Sequence, residues 1–231
     1  MKHTCRGLFV TATDTGVGKT YVASLLTKSL IQAGYRVGVY KPVASGCVRQ
    51  ANSLVSEDAI ALWNAAGQPG DLNNVCPQCF EAPLAPHLAA HEEGTAVDRQ
   101  LLREGLDFWR ENSDFILIEG AGGLMSPLSD EDFNADLAYE FGFPLLVVAP
   151  NQLGVINQTL QTLITASTFK QGMEVAGIVL NDVRSDANDL STSSNRRELE
   201  IHCVPPLVAH VPWKAASIEL PLQHLFGCVE K

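Results

Sequence analysis

The fold is decided by the stretch from Thr13 to Thr20, which reads Thr-Asp-Thr-Gly-Val-Gly-Lys-Thr. An apolar run typical of a strand precedes it, and apolar residues at helical intervals follow it. Gly16 and Gly18 let the backbone curl so that N–H groups point inward, and the start of the following helix adds its positive end to the same pocket. The sequence therefore predicts a phosphate-binding loop between a strand and a helix.

The side chains of this loop indicate its ligand. Lys19 can reach the β and γ phosphates of a nucleotide, and the Thr20 hydroxyl is placed to ligate Mg²⁺. The common loop pattern has Gly where this chain has Thr13, so the interpretation depends on the flanking strand and helix. The loop also resembles that of the deviant P-loop ATPases, but Asp14 stands in place of their signature lysine. We expect Mg–nucleoside triphosphate as the ligand.

Length and composition limit the possible functions. The chain has 231 residues, of which 46% are hydrophobic, and we expect a single domain over residues 1–231. Its net charge is −10, and scattered Lys and Arg residues give no basic footprint for nucleic acid or an anionic membrane. No long apolar segment precedes the first strand, so we expect a cytoplasmic protein.

The six cysteines are interpreted as free thiols. A chain with a nucleotide loop and no export signal belongs in a reducing compartment, where disulfides are rare. Cys76 and Cys79 have the C-x-x-C spacing of metal ligands, but no second such pair or close histidine pair completes a zinc site. Zinc binding or redox chemistry at this pair remains the less favoured alternative.

Charged residues follow two further strand patterns. Lys41 comes directly after a predicted strand over residues 36–40, and Glu119 follows four apolar residues that read as a central buried strand. Ligands of open α/β sheets bind at the carboxyl ends of the strands. Lys41 is therefore a candidate catalytic cation, and Glu119 should face Mg²⁺. Gly120, Gly122 and Gly123 would allow close backbone approach to a phosphate or substrate.

A polar loop after Gly46 leads to a helix pattern that begins near Ser56. Ser56 can cap that helix, whereas Asp58 could instead face the metal, and spacing alone does not choose between these roles. Residues 67–94 are rich in Pro, Gly and Asn and predict an irregular loop. Residues 97–111 carry apolar positions at helical intervals and predict a packing helix.

Three more strands are predicted at residues 144–149, 175–180 and 207–211. The first of these strands is followed by a helix start at Asn151 to Asn157, which offers unpaired N–H groups and could hold a carboxylate. Asn181 ends the second of these strands, and its amide can pair with adenine. The Asn-Lys-x-Asp signature of guanine readers is absent, so ATP is preferred over GTP. The strand-helix alternation predicts an α/β, three-layer fold of the P-loop NTPase type, a mostly parallel sheet with helices on both faces.

Several motifs follow one another along nearly the whole chain. They are the loop at 13–20, Lys-Pro-Val-Ala-Ser-Gly at 41–46, Asp58, Ala-Pro-x-x-Pro-His at 82–87, Glu-Gly-Ala-Gly-Gly at 119–123, Pro-Leu-Ser-Asp at 127–130, Leu-Gly-x-Ile-Asn at 153–157, Asn-Asp at 181–182 and Pro-Trp at 212–213. Together they resemble the dethiobiotin synthetase family. Gly16 departs from the pattern, because some members carry an acid there.

The resemblance implies an ATP- and Mg²⁺-dependent ligase of biotin synthesis. Its substrates would be 7,8-diaminononanoate, CO₂ and ATP, and the product would be the cyclic urea of dethiobiotin, formed through a carbamate and a carbamic-phosphoric mixed anhydride. The resemblance also implies a homodimer in which the segment 153–157 of one subunit holds the substrate carboxylate of the other. Neither nucleic acid nor membrane is an expected partner.

The resemblance assigns residues to each role. The catalytic residues would be Lys41 and Lys19, and the metal ligands Thr20, Asp58 and Glu119. ATP would be bound by Gly16, Val17, Gly18, Lys19, Thr20, Tyr21, Asp58, Glu119, Gly120, Ala121, Gly122, Asn181, Asp182, Pro212, Trp213 and Lys214. The substrate would be bound by Thr15, Lys41, Ser45, Gly122, Leu153, Gly154 and Asn157.

Two other functions are compatible with a phosphate loop. One is a partitioning-type P-loop ATPase switch, which Asp14, the acidic charge balance and the Lys41 motif disfavour. The other is a glutamine-dependent ligase acting on a larger acid such as a cobyrinate, which the absence of a glutaminase domain disfavours.

Overall fold

Six parallel strands form the central sheet of the computed structural model, which describes residues 5–50, 53–185 and 189–219. The strands of these residues are β1 (Arg6–Ala12), β2 (Val37–Tyr40), β3 (Val48–Gln50), β4 (Ser53–Val55), β5 (Phe115–Glu119), β6 (Leu145–Pro150), β7 (Val175–Asn181) and β8 (Leu207–Val211). The sheet order is β2-β5-β1-β6-β7-β8, and every neighbouring pair is parallel. Strands β3 and β4 form a separate antiparallel hairpin.

The helices connect these strands and pack against the sheet. In the described residues they are α1 (Lys19–Gln32), α2 (Glu57–Ala65), α3 (Leu72–Val75), α4 (Pro86–Glu92), α5 (Arg99–Asn112), α6 (Asn134–Phe141), α7 (Val155–Thr168) and α8 (Thr192–His202). Within this part of the chain, no helix combines the length and apolar character that crossing a membrane requires.

Both faces of the central strands are covered. All residues of β5 and β6 are buried, and so are all residues of β1 after Arg6. Since successive side chains of a strand point to opposite faces, this burial requires packing on both sides of the sheet. The predicted three-layer α/β fold with a parallel sheet is confirmed.

The register of the sheet brings three strand ends together. Val10 of β1 lies opposite Glu119 of β5, and Tyr40 of β2 lies opposite Ile118 of β5. The loop after β1 and the residue Lys41 after β2 therefore flank the carboxyl end of β5. This is the edge where open α/β sheets bind their ligands.

Three segments differ from the sequence-based expectation. Residues 67–94 contain the short helices α3 and α4 instead of being irregular throughout, the polar loop after Gly46 contains the β3–β4 hairpin, and α6 was not predicted. Local contacts explain the two short helices. Asn74 Oδ1 accepts a hydrogen bond from the backbone of Asp71 at the start of α3, and α4 begins with Pro86, a position where the missing N–H costs nothing. Such contacts are not visible in apolar periodicity.

Trp109 anchors α5 to the sheet and to α3. Its side chain is 1% exposed, and its indole N–H donates to the carbonyl of Asn74 at 2.9 Å. We expect Trp109→Ala to lower the free energy of unfolding by about 3–5 kcal/mol, because it leaves a large cavity and an unpaired carbonyl. Urea denaturation measures this loss. The control is Trp213→Ala, whose side chain is 46% exposed and whose loss should cost less than about 1 kcal/mol.

Candidate active site

The phosphate-binding loop joins β1 to α1, as predicted. Gly18 is the N-cap of α1 and has φ 87°, a left-handed conformation that favours glycine. A Cβ at this position would collide with the side-chain amide of Asn181. That amide donates from Nδ2 to the carbonyl of Val17 at 2.9 Å. The loop is therefore held in shape by the end of β7, on the other side of the site.

The side chain of Lys19 lies in this loop without a carboxylate partner among the described residues. It is buried, and it makes no ion pair among the described residues. Burial lowers the pKa of Lys19, and the attraction of Glu119 offsets this only in part. A buried ammonium of this kind gains strongly from an incoming phosphate, because the anion restores the interactions that burial removed.

Lys41 and two carboxylates form a contact cluster next to the loop. Lys41 Nζ lies 2.6 Å from Glu119 Oε1 and 2.8 Å from Asp58 Oδ2. The Thr20 hydroxyl donates to Glu119 Oε1 at 2.8 Å. The structure thus brings together Thr20, Lys41, Asp58 and Glu119, which lie far apart in the sequence. We call these four residues the cation–acid cluster.

The charges of this cluster are fixed by mutual contact. Burial by itself would lower the pKa of Lys41, but Glu119 and Asp58 outweigh this and raise it above its usual value. Burial opposes ionisation of Asp58, yet Lys41 holds the pKa of Asp58 below its usual value. Lys41 is therefore a permanent cation near neutral pH. It can stabilise negative charge but is not suited to act as a base.

Both roles that the sequence left open at the start of α2 occur together. Ser56 caps the helix, because its hydroxyl accepts the N–H of Ala59 at 3.2 Å. Asp58 in the first turn reaches across to Lys41. The cap at Ser56 thus leaves Asp58 available for the cation–acid cluster.

The donor set of the cluster fits a hard divalent cation. Glu119 is 1% exposed, and its Oε2 atom is buried without a hydrogen-bond partner. A buried, unpaired carboxylate oxygen is costly unless a cation or water satisfies it. Carboxylate and hydroxyl oxygens are the ligands that Mg²⁺ prefers. The oxygens of Thr20, Asp58 and Glu119 are therefore suited to hold it.

The glycine-rich turn after β5 is clamped by a residue that the sequence analysis missed. Asn134, at the start of α6, is fully buried; its Nδ2 donates to the carbonyls of Ala121 and Gly123, and its Oδ1 accepts the N–H of Ala121. Gly122 has φ 81°, and a Cβ built on it would collide with the side chain of Ser126 and lie 3.4 Å from Thr15 Oγ1. Thr15 and Gly122 thus face each other beside the phosphate loop. No local sequence pattern indicated Asn134, because its hydrogen bonds join segments that only the fold brings together.

A cavity of about 310 Å³ lies at the other end of the phosphate loop. Its lining residues are Gly16, Gly18, Tyr21, Asn181, Asp182, Val183, Trp213 and Lys214. The Tyr21 hydroxyl donates to the carbonyl of Ala215, which fixes the segment after β8 against α1. The cavity brings together most of the residues expected around adenine. Val183 was not predicted, and Pro212 is not among the lining residues.

Asn181, which is expected to contact adenine, lines this cavity and also supports the phosphate loop. One N–H of its Nδ2 donates to the carbonyl of Val17 at 2.9 Å, while its buried Oδ1 has no hydrogen-bond partner among the described residues. The adenine contact of Asn181 stays a prediction. Asp182 is likewise engaged, since Oδ1 accepts from Asn151 Nδ2 at 2.7 Å and contacts His210 Nε2 at 2.8 Å. Local sequence could not reveal these long-range bonds.

The remaining predicted substrate residues are Ser45 and three residues around the start of α7, and their observed contacts are with other parts of the structure. Ser45 Oγ donates to the carbonyl of Leu84 at 2.5 Å. Leu153, Gly154 and Asn157 are exposed at the start of α7. The expectation that this helix start has unpaired N–H groups is only partly correct. The N–H of Leu153 is bound to Asp189 Oδ2 at 3.1 Å, and that of Val155 to the carbonyl of Gln152.

The geometry of Gly18 predicts a specific loss of nucleotide binding. We expect Gly18→Ala to weaken ATP binding by roughly tenfold or more, since the new Cβ meets Asn181 and the left-handed φ strains the loop. Isothermal titration with an ATP analogue measures this effect. Gly34→Ala is the matched control, because Gly34 has φ 92° but an added Cβ meets nothing within 4 Å. An equal loss of affinity in both variants would contradict the assignment.

The fold and the site define a P-loop nucleotide-binding protein of the α/β class. A family model described as an AAA domain matches residues 6–219. The chain is 45% identical over 214 residues to the ATP-dependent dethiobiotin synthetase BioD of Rhodopirellula baltica, covering 88% of this chain and 82% of the relative. It is 35% identical to BioD 1 of Escherichia coli, covering 91% and 92% of the two chains. The chain belongs to the dethiobiotin synthetase family, which confirms the resemblance seen in its motifs.

Solved structures confirm the fold over most of the chain. A ParA family ATPase from Chlorobium tepidum aligns with a TM-score of 0.56 at 15% identity, covering 90% of this chain and 85% of that one. The signal recognition particle receptor FtsY from Elizabethkingia anophelis aligns with a TM-score of 0.53 at 15% identity, covering 96% and 63%. At this identity the similarity concerns the fold alone.

Proposed function

We propose that this chain closes the ureido ring of dethiobiotin from 7,8-diaminononanoate and CO₂, with ATP and Mg²⁺, releasing ADP and phosphate. Family membership supports the overall reaction. The observation that carries the proposal within the structure is the placement of Lys41 between Glu119 and Asp58, beside the phosphate loop. A buried permanent cation at that position suits a reaction in which carbamate and phosphate charges meet.

The chemistry has three steps. One amine of the substrate attacks CO₂ and loses a proton, which gives a carbamate. A carbamate oxygen then takes the γ-phosphoryl group of ATP, which gives a carbamic-phosphoric mixed anhydride and ADP. The second amine attacks the carbonyl carbon and expels phosphate, which closes the cyclic urea. Positioning and charge neutralisation account for most of the rate enhancement in such a sequence.

Different residues of the site are assigned to different parts of this reaction. Lys19 binds the transferring phosphates, and Lys41 stabilises the carbamate and the group in transfer. Thr20, Asp58 and Glu119 would hold Mg²⁺, which supplies positive charge to the phosphate oxygens when bound. Thr15 and Gly122, which face each other, would orient the diamine head together with Ser45.

The nucleotide base is assigned to the cavity at the end of the phosphate loop. Gly16, Val17, Tyr21, Gly120, Ala121 and the edge formed by Asn181, Asp182, Pro212, Trp213 and Lys214 remain the proposed ATP-binding set. The half-exposed Trp213 ring, with Lys214 Nζ 5.7 Å from its centre, offers a stacking surface for a purine. Asn181 also supports the phosphate loop through its hydrogen bond to the carbonyl of Val17.

The substrate carboxylate is assigned to a second copy of the chain. Leu153 is 81% exposed at the start of α7, next to the exposed residues Gly154 and Asn157. An exposed leucine beside a helix N-terminus suits an interface that also binds an anion. The proposal is therefore a homodimer, acting on small molecules in the cytoplasm as a single domain, without nucleic acid or membrane.

A partitioning-type ATPase switch is not favoured, although a ParA family structure shares the fold. The chain carries Asp14 where that class has its signature lysine. The acidic charge balance and the Lys41 motif also count against it. The larger-acid ligase alternative has no supporting observation among the described residues.

A labelling experiment tests the proposed reaction. Purified protein is incubated with ATP, Mg²⁺, labelled bicarbonate and 7,8-diaminononanoate, and acid-stable label is measured. We expect label in a product that forms only when all four components are present. No incorporation by folded, dimeric protein would refute the proposal, and ATP hydrolysis stimulated by DNA or a membrane would favour the switch.

A further inference from the structure

Three cysteines, Cys47, Cys76 and Cys79, lie close together near the strand-end loop that carries Lys41. Cys76 Sγ and Cys79 Sγ lie 3.7 Å apart, and the backbone N–H of Cys47 donates to the carbonyl of Phe80, the residue after Cys79, at 2.9 Å. The five cysteines of the described residues are free, and Cys228 lies outside those residues. No step of the proposed reaction uses these thiols.

A small molecule can reach this thiol cluster. Cys76 and Cys79 line a cavity of about 450 Å³ between the β4 strand, the start of α2 and the start of α3. Cys79 is partly exposed, whereas Cys76 is buried behind it. The residues that line it include the polar residues Ser53, Ser56 and Asp71. A polar cavity of this size admits a hydroperoxide.

The surroundings distinguish the two thiols chemically. The neighbouring thiols of Cys47 and Cys76 lower the pKa of Cys79, and the positive charge of Lys41 acts in the same direction. The pKa of Cys76 is raised, first by its hydrogen bond with Cys79 and then by burial. Cys79 therefore has thiolate character, and Cys76 supplies a neighbouring thiol. This is the arrangement of an attacking and a resolving cysteine.

We propose that Cys79 and Cys76 form a redox pair that a hydroperoxide converts reversibly into a disulfide. The Cys79 thiolate attacks one peroxide oxygen, the O–O bond breaks, and the leaving oxygen takes a proton as water or alcohol. Cys76 then attacks the resulting sulfenic sulfur, loses its proton, and expels the hydroxyl group as water. The two sulfurs lose two electrons in total, which the peroxide gains. A dithiol reductant reverses the change.

The disulfide would act on the reaction site through the backbone. The N–H of Lys41 donates to the carbonyl of Val75 at 2.7 Å, and the N–H of Ala44 donates to that of Gln78 at 2.9 Å. The N–H of Phe80 donates to the carbonyl of Ala44 at 2.9 Å. Because bond formation shortens the sulfur separation from 3.7 Å to about 2.05 Å, we expect the turn between the two cysteines to shift. That shift moves the backbone that holds Lys41.

The expected consequence for activity rests on the proposed function, whereas disulfide formation does not. Small displacements of a positioning group reduce rate strongly, so we expect oxidation to lower kcat by roughly tenfold to a hundredfold. The KM for ATP should change by less than about threefold, because the phosphate loop is on a different strand end. Oxidation is therefore expected to lower turnover and to leave nucleotide binding nearly unchanged.

The test uses the reduced full-length protein and hydrogen peroxide. Free thiols are titrated after denaturation, the disulfide is mapped by peptide mass spectrometry, and kcat is followed during oxidation and after dithiothreitol. We expect a Cys76–Cys79 disulfide to form before Cys203 is modified, and we expect kcat to return on reduction. Over-oxidation of Cys79 without a disulfide, a bond between Cys79 and Cys47, or equal modification of Cys203 would each overturn the proposal.

Variants separate the redox pair from general oxidative damage. Cys76→Ser and Cys79→Ser should keep the turnover of the reduced protein and become resistant to peroxide, whereas Cys203→Ser should be inactivated like the parent. Because a serine variant could misfold, the Cys76→Ala variant and the disulfide mapping on the parent chain test the redox pair independently. Mapped disulfide in a protein with no ring-closing activity would refute the proposed function but not the redox pair. Activity unaffected by a fully formed disulfide would refute the expected effect of oxidation on turnover.

Discussion

Replacing Lys41 with Gln is expected to lower kcat by about 10²–10³-fold while ATP-analogue binding stays within several-fold. The reason is that Lys41 is buried and permanently charged, held by Glu119 and Asp58, and is needed when carbamate and phosphate charge reorganise. Glutamine keeps hydrogen-bonding capacity but loses that charge. Turnover under saturating substrates and the Kd for a non-hydrolysable analogue measure the two effects.

The control for this substitution is Lys28→Gln. Lys28 is exposed on α1, so its loss should leave kcat and ATP binding unchanged. Because Lys41→Gln leaves Glu119 buried without its cation, thermal unfolding of the variant must remain cooperative before its rate is interpreted. An equal loss of ATP affinity and of rate would make Lys41 a nucleotide-binding residue instead.

Replacing Glu119 with Gln is expected to lower kcat by about a hundredfold or more and to raise the Mg²⁺ concentration for half-maximal rate by roughly tenfold. Glu119 accepts from Thr20 and Lys41 through Oε1 and keeps Oε2 buried and unpaired. The substitution removes the charge that joins the metal ligands to Lys41. Rates measured over a Mg²⁺ series at fixed ATP give both quantities.

Glu111→Gln supplies the matched control, because Glu111 is exposed in the last turn of α5. It should leave both kcat and the Mg²⁺ dependence unchanged. If Glu119→Gln lost rate without any shift in the Mg²⁺ dependence, Glu119 would act only by holding Lys41. That result would remove it from the proposed metal ligands.

The sequence predicted the parts of the site that depend on strand ends. Lys41 and Glu119 directly follow apolar runs, and parallel strands place their carboxyl ends at one edge, so their convergence follows from the sheet. The phosphate loop was equally clear, because its glycines and lysine lie between strand and helix patterns. The parallel sheet itself follows from strand-helix alternation.

The sequence could not show contacts between distant segments. The amide of Asn181 donates to the carbonyl of Val17, which lies 164 residues away in the chain, and nothing in the local sequence indicates this support of the phosphate loop. Asn134 gave no sign of clamping the glycine turn, because its bonds depend on how α6 returns to β5. The meeting of Cys47 with Cys76 and Cys79 has the same origin, since only the fold brings Cys47 to the pair.

The most direct test is a crystal structure of the protein with Mg²⁺, a non-hydrolysable ATP analogue and 7,8-diaminononanoate. We expect the γ-phosphate within hydrogen-bonding distance of both Lys19 and Lys41, with Mg²⁺ on the oxygens of Thr20, Asp58 and Glu119. We also expect the diamine head beside Thr15 and Gly122. A triphosphate bound with Lys41 or Glu119 remote from it would contradict the account.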